Sequence, residues 1–292
     1  MRLLKLIGMV GLVWFLLSEI NLKESIAAFQ NINYLILIPI ALYIPGLLIS
    51  TYKWQAIIPG NFWYLFRVYW IGNFFSNFLP STIGGDGYRV LAYGKQVGKK
   101  VVLASVLIDR LSGILGTIVI FLILLIPTWQ YMFMSEIGIS LSLPFYVWIV
   151  ALVTLLIIAP ILYRKLISLW KSKLGGVFSQ LNVSWLKISV LSIVYPILGG
   201  ISLWVYCLMF GYLINPIIVV GFYLLIQLIS ILPISFNAIG VYEVSVIALL
   251  SLVGVPTEVG LTISLLSRVV LLMQTSIGGV IYMLQPESGK LN

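Results

Sequence analysis

Charged side chains interrupt apolar stretches of this chain at positions that a bilayer would surround. They are Asp86, Arg89, Asp109, Arg110, Glu243 and Arg268. A charge at the bilayer centre costs roughly 3 kcal/mol or more, so it usually binds a substrate, an ion or another charged residue. Arg89 offers a planar, bidentate guanidinium, which suits a phosphate group. These residues indicate either a polar site inside a membrane or buried ion pairs that only stabilise the fold.

A glycine-rich segment precedes Arg89. It contains Asp86 between Gly84, Gly85 and Gly87. On a helix that begins near Gly85, the side chains of Asp86 and Arg89 share one face, and the backbone N–H groups of such a helix start can bind a phosphate oxygen. One interpretation is a headgroup phosphate held by Arg89 and the helix start. The alternative is that Asp86 caps the helix and pairs with Arg89, which needs no ligand.

Asp109 and Arg110 are adjacent, so on a helix their side chains point about 100° apart and cannot face the same partner. We expect Asp109 to pair with Arg89 or Arg268. Arg110 would then face a cavity, and a purely structural ion pair is the alternative. Glu243 could balance Arg268, receive a cationic headgroup or carry a coupling proton.

Uncharged polar residues also lie at depth in the apolar stretches. They are Asn73, Asn77, Gln227, Asn237 and Gln274. Hydrogen bonding between helices is their expected role, and a place in a polar cavity is the alternative. Because of the second possibility, Asn77 and Asn237 are included among the candidate substrate-binding residues.

The composition limits which chemistry these residues can perform. Of the 292 residues, 61% are apolar and 9% are charged, whereas soluble domains are roughly 25% charged. There is no histidine and the single cysteine is Cys207, which excludes histidine-based catalysis, an internal disulfide and a thiolate metal cluster. We expect no metal and no cofactor. The net charge of +9 fits basic loops of a membrane protein better than a nucleic-acid surface.

Six apolar runs are long enough to cross a bilayer, which takes about 20 residues. They lie at about 3–18, 34–52, 101–126, 143–163, 186–213 and 257–284. No small-residue cleavage site follows the first run, so we expect it to be a retained anchor and not a secretory signal.

Two further apolar stretches, 61–94 and 217–254, are each interrupted by a Leu-Pro pair and glycine. Their returning limbs hold about 11 and 14 residues, or roughly 16 and 21 Å, whereas the hydrocarbon core is about 30 Å thick. We predict a re-entrant helical hairpin from each stretch; kinks in continuous spans are the alternative. Paired interrupted segments in two halves indicate a transporter binding site.

The charges predict the orientation of the chain. With the N-terminus and the C-terminus in the cytoplasm, thirteen of the seventeen basic residues are cytoplasmic, as the positive-inside rule requires. They are Arg2, Lys5, Lys53, Arg67, Lys95, Lys99, Lys100, Arg164, Lys165, Lys171, Lys173, Lys187 and Lys290.

The order of the elements is span, span, hairpin, span, and then the same again. The sequence thus predicts an all-α polytopic membrane protein with about six full transmembrane helices and two re-entrant hairpins. Residues 1–292 form one transmembrane domain, and the halves, about 1–135 and 136–292, form an inverted repeat, since three crossings per half turn the second copy over.

The segment from Asn77 through Leu79-Pro80 to Gly84-Gly85-Asp86-Gly87-Tyr88-Arg89, with Asp109-Arg110 downstream, is a distinctive pattern. Together with Leu232-Pro233 and Gly240-Val241-Tyr242-Glu243, it resembles the flippase-like family named for the lysylphosphatidylglycerol synthase transmembrane region. The resemblance covers essentially the whole chain and is to the stand-alone form, without the aminoacyl-transferase domain of the long members. It implies that Asp86, Arg89, Asp109, Arg110 and Glu243 belong to a translocation cavity.

These features lead us to expect a multi-pass protein of the cell membrane that translocates a phospholipid or a lipid-linked headgroup between the leaflets. Aminoacyl-phosphatidylglycerol and a polyprenyl-linked glycolipid are the candidate substrates. An accessory subunit of a lipid or glycolipid synthase, or an intramembrane lipid-modifying transferase, is the alternative, although no activated nucleophile favours an enzyme. A membrane lipid is the expected partner, nucleic acid is not, and a homodimer and a partner lipid synthase stay open.

Overall fold

The computed structural model describes residues 32–77, 83–137, 175–231 and 238–284. Within these ranges the chain forms eight α-helices, two 3-10 helices and no strand. The α-helices are α1 Leu37–Gln55, α2 Phe62–Ser76, α3 Ile83–Val97, α4 Lys99–Ile137, α5 Trp185–Met209, α6 Pro216–Ser230, α7 Val241–Ser251 and α8 Thr257–Met283. The predicted all-helical fold is confirmed for this part of the chain.

Four helices, α1, α4, α5 and α8, are long and apolar enough to cross a membrane. The mean hydropathy of their most apolar windows runs from 1.5 to 2.1, and each coincides with one of the predicted spans. The other two predicted spans, 3–18 and 143–163, lie outside the described residues. Four candidate spans of this length and hydropathy are typical of a multi-pass membrane protein.

Two pairs of short helices stand where the sequence predicts hairpins. Helices α2 and α3 run antiparallel: the Tyr64 hydroxyl donates to the Ala92 carbonyl oxygen at 3.4 Å, and the rings of Phe75 and Tyr88 stack with centroids 5.2 Å apart. Helices α6 and α7 also pack against each other. Each 15-residue helix is about 22 Å long, which is less than the roughly 30 Å of a hydrocarbon core.

The chain forms two compact units, and each unit contains one of the helix pairs. We call them the Asp109 unit, which holds α2 and α3, and the Glu243 unit, which holds α6 and α7. In the part that the structure describes, the Asp109 unit comprises 44–77, 83–119, 175–195 and 272–284, and the Glu243 unit the rest. Each unit draws on both predicted halves of the sequence, so the units are not those halves, and the inverted repeat stays a prediction.

Each unit has its own apolar core. In the Asp109 unit, Trp54, Ile58, Leu65 and Ile71 are fully buried among residues of α2, α3 and α4. In the Glu243 unit the fully buried residues come from α5 to α8 and are Cys207, Val219, Ile226, Val246, Leu250 and Ile263. Cys207 is thus a small residue of this core.

Glycines permit close contacts between helices. A Cβ at Gly278 of α8 would lie 2.5 Å from the Trp70 carbonyl oxygen of α2. A Cβ at Gly200 of α5 would lie 2.9 Å from the Cα of Val220 in α6. Real Cβ atoms do not approach so closely, so these positions need glycine.

Candidate functional site

Five charged side chains of the Asp109 unit form one connected network. They are Lys53, Asp86, Arg89, Asp109 and Arg110. Helix α1 supplies Lys53, α3 supplies Asp86 and Arg89, and α4 supplies Asp109 and Arg110. We call this set the ion-pair network. It holds three cations and two carboxylates, which leaves a net charge of +1.

Asp109 is the centre of the network. Its Oδ2 accepts a hydrogen bond from Arg89 Nη1 at 2.9 Å, and its Oδ1 lies 3.0 Å from Lys53 Nζ. The Tyr69 hydroxyl contributes a longer bond to Oδ2, at 3.4 Å. The predicted pairing of Asp109 with Arg89 is therefore confirmed.

The guanidinium group of Arg89 lies between two aromatic rings, those of Trp54 and Tyr69. Its guanidinium carbon is 4.1 Å from the centroid of the Trp54 ring and 4.4 Å from that of Tyr69. Trp54 is itself held by a hydrogen bond from its Nε1 to Ser105 Oγ at 2.9 Å. Desolvated cation–π contacts of this kind contribute about 2 kcal/mol. The Nε and Nη2 atoms of Arg89 are buried without a hydrogen-bond partner among the described residues.

Lys53 is a residue of the network that its position in the sequence does not indicate. It stands at the end of a predicted span, where a cytoplasmic charge is expected, and its side chain is only 9% exposed. The ammonium group donates to the Asp109 backbone carbonyl oxygen at 3.0 Å as well as pairing with the carboxylate. Gly113, one turn after Asp109, leaves room for it: a Cβ there would lie 3.3 Å from Lys53 Nζ.

Asp86 and Arg110 form the accessible edge of the network. Arg110 Nε donates to Asp86 Oδ2, and Asp86 Oδ1 also lies 3.5 Å from Arg89 Nη1. This pair is not among the partners expected from the sequence, and it forms because α3 brings Asp86 onto the Arg110 side of α4; a cavity at Arg110 stays a prediction. The Arg110 side chain is 36% exposed and that of Asp86 is 19% exposed, whereas Arg89 and Asp109 are 5% and 3% exposed.

The glycines before Arg89 serve the packing of α3 on α2. Gly84 and Gly85 are buried, and a Cβ at Gly85 would collide with the Gly72 carbonyl group and the Ser76 hydroxyl. A Cβ at Gly87, by contrast, would meet open space. Packing explains why position 85 holds glycine, and the phosphate-binding role of Gly84 and Gly85 stays a prediction.

The Glu243 unit contains a separate ion pair. Arg268 Nε of α8 donates to Glu243 Oε1 of α7, and Arg268 Nη2 donates to the Ala238 carbonyl oxygen at 2.9 Å. Glu243 Oε2 accepts the Gly240 backbone N–H at 2.6 Å. Of the three roles that the sequence leaves open for Glu243, balance of Arg268 is observed, and the other two stay predictions. The two charges cancel, and the pair fixes the backbone before α7, where Ala238 and Gly240 have φ values of 54° and 83°.

The predicted amide residues have different outcomes. Asn77 Nδ2 donates to Thr275 Oγ1 of α8 at 2.7 Å, which is the expected bond between helices. Gln227 Nε2 donates to the Tyr223 hydroxyl at 2.5 Å, one turn away on the same helix. Asn237 lies outside the described residues. Over the described ranges, no cluster of three or more histidine, cysteine or carboxylate side chains could hold a metal ion.

Comparison with known proteins agrees with this architecture. No curated protein and no solved structure matches the chain. A family model, that of the lysylphosphatidylglycerol synthase TM region, matches residues 2–279 of the 292. This match covers the ion-pair network, the Glu243–Arg268 pair and all eight helices but the last few residues of α8. The chain belongs to the family of the lysylphosphatidylglycerol synthase TM region.

Proposed function

We propose that this protein translocates a phospholipid or a lipid-linked headgroup between the leaflets of the cell membrane. The observation that carries the proposal is the ion-pair network: five charged side chains gathered inside a chain of apolar helices, with one net positive charge. Buried charges in membrane proteins mark substrate or ion pathways. A phosphate group, common to aminoacyl-phosphatidylglycerol and polyprenyl-linked glycolipids, carries the negative charge that the network lacks.

The two parts of the network have different roles in this proposal. Lys53, Arg89 and Asp109 form a buried scaffold, since each is held by at least two contacts. The Asp86–Arg110 pair is the part that a headgroup reaches. A phosphate oxygen replaces Asp86 at the Arg110 guanidinium, and Asp86 then keeps its second partner, Arg89 Nη1, at 3.5 Å. The exchange leaves no carboxylate without a cation, which keeps its electrostatic cost low.

The proposed topology follows from helix length and charge. Helices α2 and α3, and likewise α6 and α7, enter and leave on the same side, because none of them is long enough to cross. With six full spans, the two halves of the chain are inverted relative to each other and both termini are cytoplasmic, as the basic residues favour. Broken helices at membrane depth commonly line a substrate pathway.

Lipid inversion in reconstituted vesicles tests the proposal. Arg110→Gln is the informative variant, because Arg110 is partly exposed and Asp86 retains Arg89. Arg89→Ala is less informative, since it removes a side chain packed between two rings. We expect Arg110→Gln to slow inversion of fluorescent phosphatidylglycerol at least tenfold. Lys100→Gln, an exposed charge on the same helix, is the matched control and keeps the wild-type rate.

Two results would contradict the proposal. One is a wild-type protein that inverts labelled lipid no faster than empty vesicles do. The other is an Arg110→Gln variant that is folded and inverts lipid at the wild-type rate. Protein incorporation and thermal stability, measured for each sample, separate a loss of translocation from a loss of fold.

A further inference from the structure

A groove of about 760 Å³ lies at the end of α1, next to the start of α5. Residues from the C-terminal turns of α1, from the loop after it and from residues 182–191 line it, and the ones used below are Tyr52, Gln55, Asn182, Leu186, Lys187 and Val190. We call it the α1–α5 groove. Its volume is in the range of sites that hold a small molecule, and all of its lining belongs to the Asp109 unit.

The walls of the groove are held by backbone hydrogen bonds. The segment before α5 pairs with the end of α1: the Asn182 N–H donates to the Ile57 carbonyl oxygen at 3.0 Å, and the Ser184 N–H donates to that of Ala56 at 2.8 Å. Gln55 Nε2 donates to the Gly60 carbonyl oxygen at 2.9 Å. Backbone hydrogen bonds therefore hold the walls of the groove in place, and its shape does not depend on side-chain rotamers alone.

The groove and the ion-pair network lie on different faces of the same turn of α1. Tyr52 and Gln55 face the groove, whereas Lys53 and Trp54 are buried toward Asp109 and Arg89. The groove is thus a different site from the network, although both use the same helical turn.

The lining has an apolar part and a cationic part. Leu186 and Val190 are one turn apart on the same face of α5 and are 71% and 43% exposed, and Tyr52 is half-exposed beside them. Lys187 and Asn182 are exposed polar residues at the start of α5. The lining contains one lysine and no carboxylate, so the groove carries a positive charge next to an apolar face that opens outward.

We propose that the α1–α5 groove binds one anionic phospholipid. The lipid phosphate contacts Lys187 and Asn182, and an acyl chain lies along Leu186 and Val190. A zwitterionic lipid binds more weakly, because its own ammonium group offsets the attraction of its phosphate to the single lysine. This inference concerns a bound lipid and does not depend on translocation.

Lipid retention by the purified full-length protein tests the groove. The probe is phosphatidylglycerol carrying a photoreactive acyl chain, added to protein in neutral detergent, with unlabelled phosphatidylglycerol, phosphatidylcholine and inorganic phosphate as competitors. We expect one crosslinked lipid per chain, mapped to residues 182–191, and displaced by phosphatidylglycerol well below the phosphatidylcholine concentration that does so. Inorganic phosphate does not displace it, because it lacks the acyl chain.

Two variants and one control make the result specific. Lys187→Gln weakens phosphatidylglycerol binding about fivefold, which is the effect of one lysine at an anionic lipid surface. Leu186→Glu, an exposed position, abolishes crosslinking through charge repulsion, and Lys100→Gln leaves it unchanged. Thermal stability is measured for all three.

The inference is overturned in three cases. The first is crosslinks that map elsewhere on the chain, the second is a folded Lys187→Gln variant that binds as tightly as the wild type, and the third is inorganic phosphate that competes as well as phosphatidylglycerol does. The last outcome would assign the groove to free phosphate. Because the assay runs in detergent, a negative result leaves the translocation proposal unaffected, and absence of inversion leaves the groove unaffected.

Discussion

Replacing Lys53 with methionine removes one cation from the buried side of the ion-pair network while keeping the length of the side chain. Asp109 then loses its contact at 3.0 Å but keeps Arg89 Nη1 at 2.9 Å and the Tyr69 hydroxyl at 3.4 Å. Breaking a buried ion pair by removing one partner costs about 3–5 kcal/mol. Since a second cation stays in place, we expect Lys53→Met to lower the free energy of unfolding by about 3 kcal/mol, the lower end of that range.

A double-mutant cycle separates the ion pair from the packing of the lysine stem. Asp109→Asn leaves Lys53 and Arg89 without their shared carboxylate, so we expect it to be the more destabilising single change. The double variant contains no lysine at position 53 that lacks a counter-charge, so the two effects should fall short of additivity by at least 1 kcal/mol. Unfolding in mixed detergent micelles, followed by circular dichroism, gives the free energies.

The control for this cycle is Lys100→Met, which removes an exposed lysine from α4. A surface change of this kind shifts stability by about 0.5 kcal/mol at most. A Lys53→Met variant that is no less stable than this control would refute the buried pair.

Three further substitutions test other contacts by the same unfolding measurement. Arg89→Lys keeps the charge but loses the planar stacking on Trp54, so it should cost about 1–2 kcal/mol; equal stability would contradict the stacking. Gly278→Val forces a side chain against the backbone of α2 and should cost about 1–3 kcal/mol, whereas a neutral effect would argue against this helix contact. Glu243→Gln leaves Arg268 without its carboxylate, costing about 3 kcal/mol, and adding Arg268→Met should recover part of the loss.

Those parts of the fold that depend on local patterns could be predicted from the sequence. Continuous apolar length identifies α1, α4, α5 and α8, because a span needs little besides about 20 apolar residues. The short helix pairs follow from the Leu-Pro and glycine interruptions. The Glu243–Arg268 pair could also be predicted, since Arg268 sits among apolar residues in mid-span and needs an acid at similar depth.

The partners inside the ion-pair network could not be predicted in the same way. Lys53 stands 56 residues before Asp109, at the end of a span, where the positive-inside rule already accounts for a lysine. The residues around Lys53 in the sequence do not distinguish a lysine in solvent from one buried against α4. Gly113, which accommodates the ammonium group, is a weak indication of the buried position. Helical angles exclude a partner shared by Asp109 and Arg110, but they do not identify Asp86 as the partner of Arg110.

The net charges of the two charged groups explain why an anionic ligand is proposed for one and not for the other. Glu243 and Arg268 cancel, and Glu243 Oε2 and Arg268 Nη2 are further engaged by backbone groups beside α7, so this pair holds a loop in place without attracting a charge. The ion-pair network has one cation more than it has carboxylates, and two nitrogens of Arg89 are buried without a hydrogen-bond partner in the described residues. An excess positive charge held in an apolar chain is costly unless an anion offsets it. In the proposed function a headgroup phosphate at Arg110 supplies that anion, so that binding of the substrate and stabilisation of the network would be the same event.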